Sequence, residues 1–361
     1  MELVWSVDMK ITELDIFPLS VPYIPPIQKY VPEGNWGHPT IVRVHTDEGI
    51  EGVGGGWNEH VLTPRRNLED EFSKLKGKNP LELNPMYIPH PFNVALYDIV
   101  GKALKVPVSY LLGGQVRDRV PVAYWVMTQA TPEDTAAEAA VAVKKGFTTL
   151  KFHTSRVSPT VERVKAIHEA MGDKLALRID RGAGWDMRQT LKVARQIADY
   201  NIECFEEPLP LVGETLKGRN PELYRLLRTK IDIPLAWHIG PDATEVLRAV
   251  ENEACDYFNV HPSWDNLHDC LTAAAVAEAA GAPVWTAAPA LAIGIHYVFG
   301  LHYASVISNA TLPADTAFLM EEDFVKEPLP PVVEGLTDIP KKPGLGMTLD
   351  EDAVERYLTK D

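Results

Sequence analysis

Five short apolar runs lie between Leu150 and Pro262: Leu150-Lys-Phe-His153, Leu177-Arg-Ile-Asp180, Cys204-Phe-Glu206, Pro234-Leu-Ala-Trp-His238 and Tyr257-Phe-Asn-Val-His261. Each run ends in a polar group that can bind a metal or move a proton. The ends follow one another at steps of 27, 26, 32 and 23 residues, close to the roughly 25–30 residues of one strand plus a crossover helix. The spacing therefore predicts a parallel barrel in which these groups converge at the carboxyl ends of the strands.

The composition limits the classes of partner. The chain of 361 residues carries 35 basic and 50 acidic residues, a net charge of −15, which argues against nucleic acid or an anionic membrane as partner. A small anionic substrate stays compatible, because a local site can be cationic. The three cysteines show no paired spacing, as is typical of a reducing compartment. With no apolar signal core in the first ten residues and no long apolar run, we expect a cytoplasmic protein.

The first third of the chain predicts an α+β unit. Residues 10–20 alternate apolar and polar side chains, as in a strand, and the runs at 40–46 and 50–57 flank an acidic glycine turn, as in a hairpin. Residues 92–105 have the spacing of an amphipathic helix. Strands followed by helices are typical of an α+β domain.

From residue 119 the pattern changes to alternating strands and helices. Eight strand candidates, the first at 121–126 and the last at 316–320, are separated by helical segments. Eight strands with helices between them favour a (β/α) barrel over an open doubly wound sheet. No glycine-rich fingerprint after a strand supports dinucleotide binding. We expect an N-terminal α+β domain over residues 1–118, a barrel over 119–325, and a C-terminal segment over 326–361 that crosses back over the rest.

Aromatic residues indicate where a substrate could bind. The proline-rich segment 21–39 contains Tyr23 and Trp36 and is either a surface connector or a lid over a site. Trp237 belongs to a group of tryptophans near the strand ends, where the alternative to core packing is contact with an apolar or cationic part of a substrate. These three side chains are the candidate substrate-binding residues.

Asp180 and Glu206 end adjacent strands of the expected barrel. Two carboxylates that face one cavity repel each other unless a cation lies between them. Hard oxygen ligands without thiolates favour Mg²⁺, with Mn²⁺ as the alternative. The competing interpretation is a structural ion pair with a basic neighbour such as Lys151. Lys151 and His153 share one face of their strand, so one can bind a carboxylate while the other moves a proton.

Three motifs make the chain resemble the enolase superfamily, specifically its mandelate racemase/muconate lactonising branch. They are Asn93-Val-Ala-Leu-Tyr-Asp-Ile-Val-Gly-Lys-Ala-Leu-Lys-Val-Pro-Val-Ser-Tyr-Leu-Leu-Gly-Gly114, Phe205-Glu-Glu-Pro208 and Pro343-Gly-Leu-Gly346. The resemblance covers nearly the whole chain. It implies a homo-oligomer with a capping domain over a (β/α)7β TIM-type barrel. It further implies a Mg²⁺ ion that holds the substrate carboxylate, and a base that removes the α-proton to give a metal-stabilised enediolate.

The resemblance also implies individual roles. Asp180 and Glu206 match the first two metal ligands. Lys151 and His153 match a Lys-x-Lys pair, with the histidine in place of the usual base. His261 falls where relatives have an acid/base group at the sixth strand, so it would face the α-carbon from the side opposite His153.

The third metal ligand departs from the family pattern. His238 stands where a carboxylate is expected, and no acidic residue follows until Asp242. Three outcomes stay open: His238 takes the place of the acid, Asp242 swings in, or the metal is weak or absent. We include His238 among the candidate ligands.

These observations favour a lyase. The leading hypothesis is a dehydratase for a hydroxy-carboxylate or acid sugar, with α-proton abstraction by His153 or Lys151 and loss of a β-hydroxide assisted by His261. The second is a racemase, epimerase or cycloisomerase of a small carboxylate. The third is a binding protein or metal-deficient family member without catalysis.

Overall fold

The structure, a computed structural model, describes residues 8–31, 37–58, 67–127, 130–211, 218–240, 242–260, 267–286, 294–316 and 319–359. The strands are β1 Ile11–Pro18, β2 Pro39–Thr46, β3 Glu51–Asn58, β4 Arg119–Val126, β5 Thr149–His153, β6 Ala176–Asp180, β7 Ile202–Glu206, β8 Leu235–Ile239, β9 Tyr257–Val260, β10 Val284–Trp285, β11 Ala314–Thr316, β12 Val332–Val333 and β13 Leu336–Asp338. None of the helices in these ranges is long and apolar enough to cross a bilayer.

The α-helices are α1 Pro25–Gln28, α2 Leu68–Ser73, α3 Phe92–Leu104, α4 Val108–Leu111, α5 Pro132–Lys144, α6 Thr160–Met171, α7 Met187–Gln196, α8 Pro221–Arg228, α9 Ala243–Glu251, α10 Leu267–Ala279, α11 Gly294–Val306 and α12 Glu351–Tyr357. Short 3₁₀ helices lie at Pro80–Glu82, Pro85–Tyr87 and Gly172–Lys174. The helix expected from periodicity at 92–105 is confirmed to within one residue at its C-terminal end.

The N-terminal strands form an antiparallel sheet in the order β1-β2-β3. The alternation of apolar side chains along β2 places Val42 and Val44 in a core against Phe92 and Ile99 of α3. One face of the sheet is thereby covered by a helix, which is the arrangement expected for an α+β unit.

A second sheet holds the candidate site. Strands β4 to β10 are parallel neighbours in chain order, and β11 pairs in parallel with β4. Between β10 and β11, Asp315 N donates to Thr286 O at 3.0 Å. The result is a mixed α/β fold with a curled sheet in which the last strand meets the first. The last strand covers 314–316 instead of the expected 316–320, so that part of the strand prediction was two residues late.

The C-terminal segment contacts both sheets. Strand β13 lies antiparallel to the start of β4, with Thr337 opposite Val120. The chain then returns to the N-terminal part, where Leu345 N donates to the buried Asp98 carboxylate at 2.9 Å. Further on, Leu358 forms a backbone bridge with Leu19. The segment therefore ties the first and second sheets together.

Candidate active site

The ends of neighbouring strands bring the predicted metal ligands together. In the parallel register, His153 of β5 lies opposite Asp180 of β6, and Asp180 lies opposite Glu206 of β7. His238 of β8 joins them, and the ligand atoms of Asp180, Glu206 and His238 all lie within 4.8 Å of one another. The convergence follows from the parallel arrangement, which puts the carboxyl ends of all these strands at one edge.

The atoms of this cluster that could bind a metal suit a divalent cation. Asp180 Oδ1 accepts a hydrogen bond from Gly182 N at 2.9 Å, and Glu206 Oε1 accepts one from Asn259 Nδ2 at 2.8 Å. The other oxygen, Glu206 Oε2, is buried and lies 2.6 Å from the Lys151 ammonium. Anchored carboxylates and an imidazole are ligands that divalent metals use, and hydrogen bonds of this kind hold such ligands in place. The residues therefore fit a metal centre.

The Lys151 ammonium lies among three buried carboxylates. Nζ is 3.1 Å from Asp180, 2.6 Å from Glu206 and 2.8 Å from Asp315. Burial works to lower the pKa of Lys151, but the attraction of these carboxylates outweighs it and raises the pKa well above its usual value. Lys151 is thus a fixed positive charge. The structural ion pair with Lys151, which was the alternative interpretation of Asp180 and Glu206, is therefore present next to the ligand cluster.

Asp180 and Glu206 are both ionised. Burial works to raise the pKa of Asp180, but the neighbouring His153 ring and the Lys151 ammonium outweigh it and lower the pKa to about 2. Burial and the charge of Asp180 work to raise the pKa of Glu206, which Lys151 and a hydrogen bond with His238 lower to about 2. Both side chains are therefore in the form that binds a cation.

His238 meets Glu206 through Nδ1, which lies 3.2 Å from Oε1. Burial works to lower the pKa of His238, but this hydrogen bond outweighs it and the pKa is raised. A metal binds the neutral ring, so a protonated His238 would release its proton when a cation binds.

His153 is placed as a proton acceptor. Its side chain is 36% exposed, and Nε2 lies 3.1 Å from Asp180 Oδ2. Burial lowers the pKa of His153, although Asp180 opposes the shift, so the ring is neutral. When Nε2–H donates to the carboxylate, Nδ1 carries the lone pair. The ring also makes an edge contact with Trp125, with 5.3 Å between centroids.

Asp315 was missed by sequence reasoning. Its Oδ2 accepts hydrogen bonds from Lys151 Nζ at 2.8 Å and Trp285 Nε1 at 3.1 Å, and its Oδ1 accepts one from Arg178 Nη1 at 2.8 Å. The expected strand at 316–320 began one residue after it. Its position directly before the last apolar run of the strand–helix alternation is the pattern that could have indicated it.

Arg163 was also missed. Its buried guanidinium donates from Nη1 to His153 O at 2.7 Å and from Nη2 to Met127 O at 2.9 Å, and it lies over the Phe152 ring. It thereby links the ends of β4 and β5 and supports the backbone that carries His153. No local pattern distinguishes it from the exposed arginines of a helix.

Two candidate substrate-binding residues are core residues instead. Trp237 is completely buried, and its ring packs edge-on against Tyr224 at 5.3 Å. Because side chains alternate along a strand, Trp237 and His238 point to opposite faces of β8, so that assignment was wrong. Tyr23 is 6% exposed and belongs to the main hydrophobic core. Trp36 and His261 lie outside the described residues.

Asp242, the alternative third ligand, is used elsewhere. It is the N-cap residue of α9, and its Oδ1 accepts a hydrogen bond from Thr244 N at 3.0 Å. The structure therefore brings His238, and not Asp242, to the ligand cluster.

A cavity of about 310 Å³ lies between the segment 24–30, strand β4 and helix α5. Trp125, whose ring contacts His153, is one of its lining residues. At its edge Lys29 Nζ forms an ion pair with Asp134 at 2.9 Å. The described part of the segment expected to be a connector or lid thus borders a cavity next to the site.

Comparison with known proteins identifies relatives along nearly the whole chain. The N-succinyl-L-Arg/Lys racemase of Bacillus cereus is 27% identical, over 96% of this chain and 97% of that protein. The D-xylonate dehydratase of Haloferax volcanii is 25% identical, over 92% of this chain and 88% of that protein.

A solved structure shares the fold. The crystal structure of an enolase from Pseudomonas fluorescens with bound magnesium, potassium and tartrate superposes with a TM-score of 0.79 at 23% identity, covering 97% of this chain and 92% of that one. The family model described as enolase C-terminal domain-like matches residues 134–353, which is more than half of the chain. The chain therefore belongs to the enolase superfamily, in its mandelate racemase/muconate lactonising branch.

Proposed function

We propose that the chain is a lyase that dehydrates a hydroxy-carboxylate or acid sugar after removing the proton α to the carboxylate. The observation that carries this proposal is the part-exposed imidazole of His153, which lies 3.1 Å from Asp180 at the cluster of Asp180, Glu206 and His238. Such a proton is removed only where positive charge meets the negative charge that develops on the substrate carboxylate. The relative named for D-xylonate dehydration supports this choice.

The residues divide the work as follows. Asp180, Glu206 and His238 would hold a divalent cation, for which the resemblance implies Mg²⁺ with Mn²⁺ as the alternative. When bound, the cation supplies positive charge against the substrate carboxylate. Lys151 balances the charge of the carboxylates and offers a second cation to the substrate. His153 Nδ1 accepts the α-proton.

The elimination balances within the substrate. The electron pair of the α C–H bond forms the double bond to the β-carbon, the β C–O bond breaks, and hydroxide leaves with a proton as water. His261 is the proposed proton donor for this step. The enol product then gains a proton at the β-carbon and loses its hydroxyl proton, which gives a 2-keto acid.

The proposed architecture carries this chemistry on a (β/α)7β barrel with an N-terminal α+β cap. The pairing of β11 with β4 and the family match support barrel closure. The limits 1–118, 119–325 and 326–361, the cytoplasmic location and the homo-oligomer stay predictions.

Racemisation or epimerisation is the second candidate. The relative named for racemisation of N-succinylated amino acids favours it. In that reaction His153 and His261 would exchange the α-proton from opposite faces, and no bond at the β-carbon would break.

Proton exchange in D₂O separates these functions. The test incubates the full chain with Mg²⁺ or Mn²⁺ and with D-xylonate, other aldonic acids or N-succinyl-lysine. A 2-keto acid supports dehydration, whereas deuterium at the α-carbon of recovered substrate without a keto product supports epimerisation. Neither product with any probe, together with metal binding unaffected by Asp180→Ala, would favour the non-catalytic alternative.

The role of His153 is tested by substitution. His153→Asn should lower the rate by about 10²–10⁴-fold, the usual contribution of a general base. His168→Asn, at an exposed histidine of α6, is the matched control and should leave the rate unchanged. Turnover by His153→Asn at the rate of the unmodified protein would remove His153 from the mechanism.

A further inference from the structure

The ligand from β8 differs in chemistry from the other two. Asp180 and Glu206 offer carboxylate oxygens, but His238 offers an imidazole nitrogen within 4.8 Å of them. Imidazole favours transition metals, whereas Mg²⁺ favours an all-oxygen shell. We propose that this site selects a divalent transition-metal ion such as Mn²⁺ or Zn²⁺ over Mg²⁺, an inference that rests on the metal site of the proposed function.

The other acidic groups near the cluster have different partners. Glu207 accepts a hydrogen bond from Arg219 Nε at 2.6 Å and one from His238 N at 3.1 Å. Asp315 faces Lys151 and Arg178, and Asp242 caps α9. In the described ranges, the oxygen ligands of the cluster are thus the two carboxylates, and the third ligand is nitrogen.

The charge of the site also disfavours Mg²⁺. The Lys151 ammonium lies 2.6 Å from Glu206 and 3.1 Å from Asp180, so it already neutralises part of their charge. Mg²⁺ gives up its water reluctantly and depends on ligand charge and near-ideal geometry. A transition metal meets the same repulsion from Lys151, but it gains a stronger bond to the imidazole nitrogen.

The ligands are held in place before a metal binds. Gly182 N donates to Asp180, and Asn259 donates to Glu206. The backbone of β8 carries His238 in parallel register with Asn259 of β9. Because these hydrogen bonds and this register fix the ligands, the preference is a property of the donor atoms and should respond to replacement of His238 alone.

Calorimetric titration of the metal-free full chain with Mg²⁺, Mn²⁺ and Zn²⁺ salts tests the inference. The variant His238→Asp restores an all-carboxylate set, and His168→Asp adds the same charge at an exposed histidine. The ratio of Mn²⁺ or Zn²⁺ affinity to Mg²⁺ affinity should fall by about tenfold or more in His238→Asp. The ratio should stay unchanged in His168→Asp.

An equal ratio in the unmodified protein and His238→Asp would overturn the inference, and so would Mg²⁺ binding to the unmodified protein as tight as Mn²⁺ binding. Failure of the proposed function appears differently. If the chain loaded with its preferred metal gives neither deuterium exchange nor a keto acid, the function is wrong while the selectivity still stands.

Discussion

Asp315 joins the two buried cations of the site. One of its oxygens meets Lys151 and the other meets Arg178, whose second carboxylate partner is Glu203 at 2.6 Å. Burial works to lower the pKa of Arg178, but the charges of Glu203 and Asp315 outweigh it and raise the pKa. Asp315 therefore helps to hold Lys151 at the ligand cluster without being a ligand itself.

Asp315→Asn should destabilise the fold. The change keeps the shape of the side chain but removes one buried charge that faces two cations, which costs about 3 kcal/mol of the free energy of unfolding. Denaturant unfolding measures the loss. Asp338→Asn is the control, because Asp338 is exposed and such a pair at the surface, here with the half-buried Arg119, contributes about 0–1 kcal/mol. Equal losses in the two variants would show that Asp315 is not the centre of a buried network.

Sequence reasoning could identify the residues at strand ends but not their environment. Asp180 and Glu206 close clear apolar runs, so their side chains could be placed at one site. Asp315 lies in a three-residue strand that has little local pattern. Trp237 looked like a site residue because it precedes His238, but a shift of one residue along a strand reverses the face.

Helix α3 lies close to the C-terminal segment at Gly101. Gly101 lies where α3 crosses the C-terminal segment, and a Cβ there would come within 2.7 Å of Gly344 Cα. Only a residue without a side chain allows this approach. Gly300 of α11 offers a contrast, because a Cβ at that position meets nothing within 4 Å in the described part of the chain.

Alanine should have opposite effects at these two helical glycines. Gly101→Ala pushes α3 away from backbone atoms and should lower the free energy of unfolding by about 1–3 kcal/mol. Gly300→Ala should raise it by up to about 1 kcal/mol, because alanine has the higher helix propensity. Thermal or denaturant unfolding of both variants checks the signs. Stabilisation by Gly101→Ala would contradict the close packing of α3 on the C-terminal segment.

The helices themselves could be predicted from the sequence. The apolar spacing of α3 and α5 is local, and Thr131 begins α5 with a side-chain cap on Asp134 N. The contact partners of α3 could not be predicted from the sequence, because Gly101 and Gly344 are far apart in the chain and meet only through tertiary packing.

Across the molecule, His302 connects three segments. From α11 its Nδ1 accepts a hydrogen bond from Ser109 N at 3.3 Å, and its Nε2 donates to Leu345 O at 3.1 Å. The ring is fully buried. Burial lowers its pKa to about 4, although the hydrogen bond to Leu345 opposes the shift. The neutral form therefore holds the N-terminal part, the curled sheet's last helix and the C-terminal segment together.

His302 should make the fold less stable in mild acid. Its pKa is about 4 in the folded chain against 6.5 for the ordinary group. The unfolded chain therefore takes up the proton first as the pH falls, and stability is lost from about pH 6.5 toward about 4. His302→Asn should remove roughly 3 kcal/mol of the loss seen in this window. The free energy of unfolding, measured across this pH window for the unmodified chain and for His302→Asn, checks this prediction.

His168→Asn is the control for this pH dependence. Its stability should depend on pH in the same way as that of the unmodified chain. An unchanged profile in His302→Asn would mean that other groups cause the acid sensitivity.

The order of strands and helices, the family motifs and the ends of β5, β6 and β7 were determined by the sequence alone, because apolar periodicity and turn residues act over a few neighbours. Tertiary structure alone decided which charges meet. Lys151 and Asp315 lie 164 residues apart in the chain, and they meet because β11 returns to pair with β4. It also decided that His238 faces the carboxylates while Trp237 faces the helices. A side chain's face depends on the register and curl of the whole sheet, which no local stretch of sequence encodes.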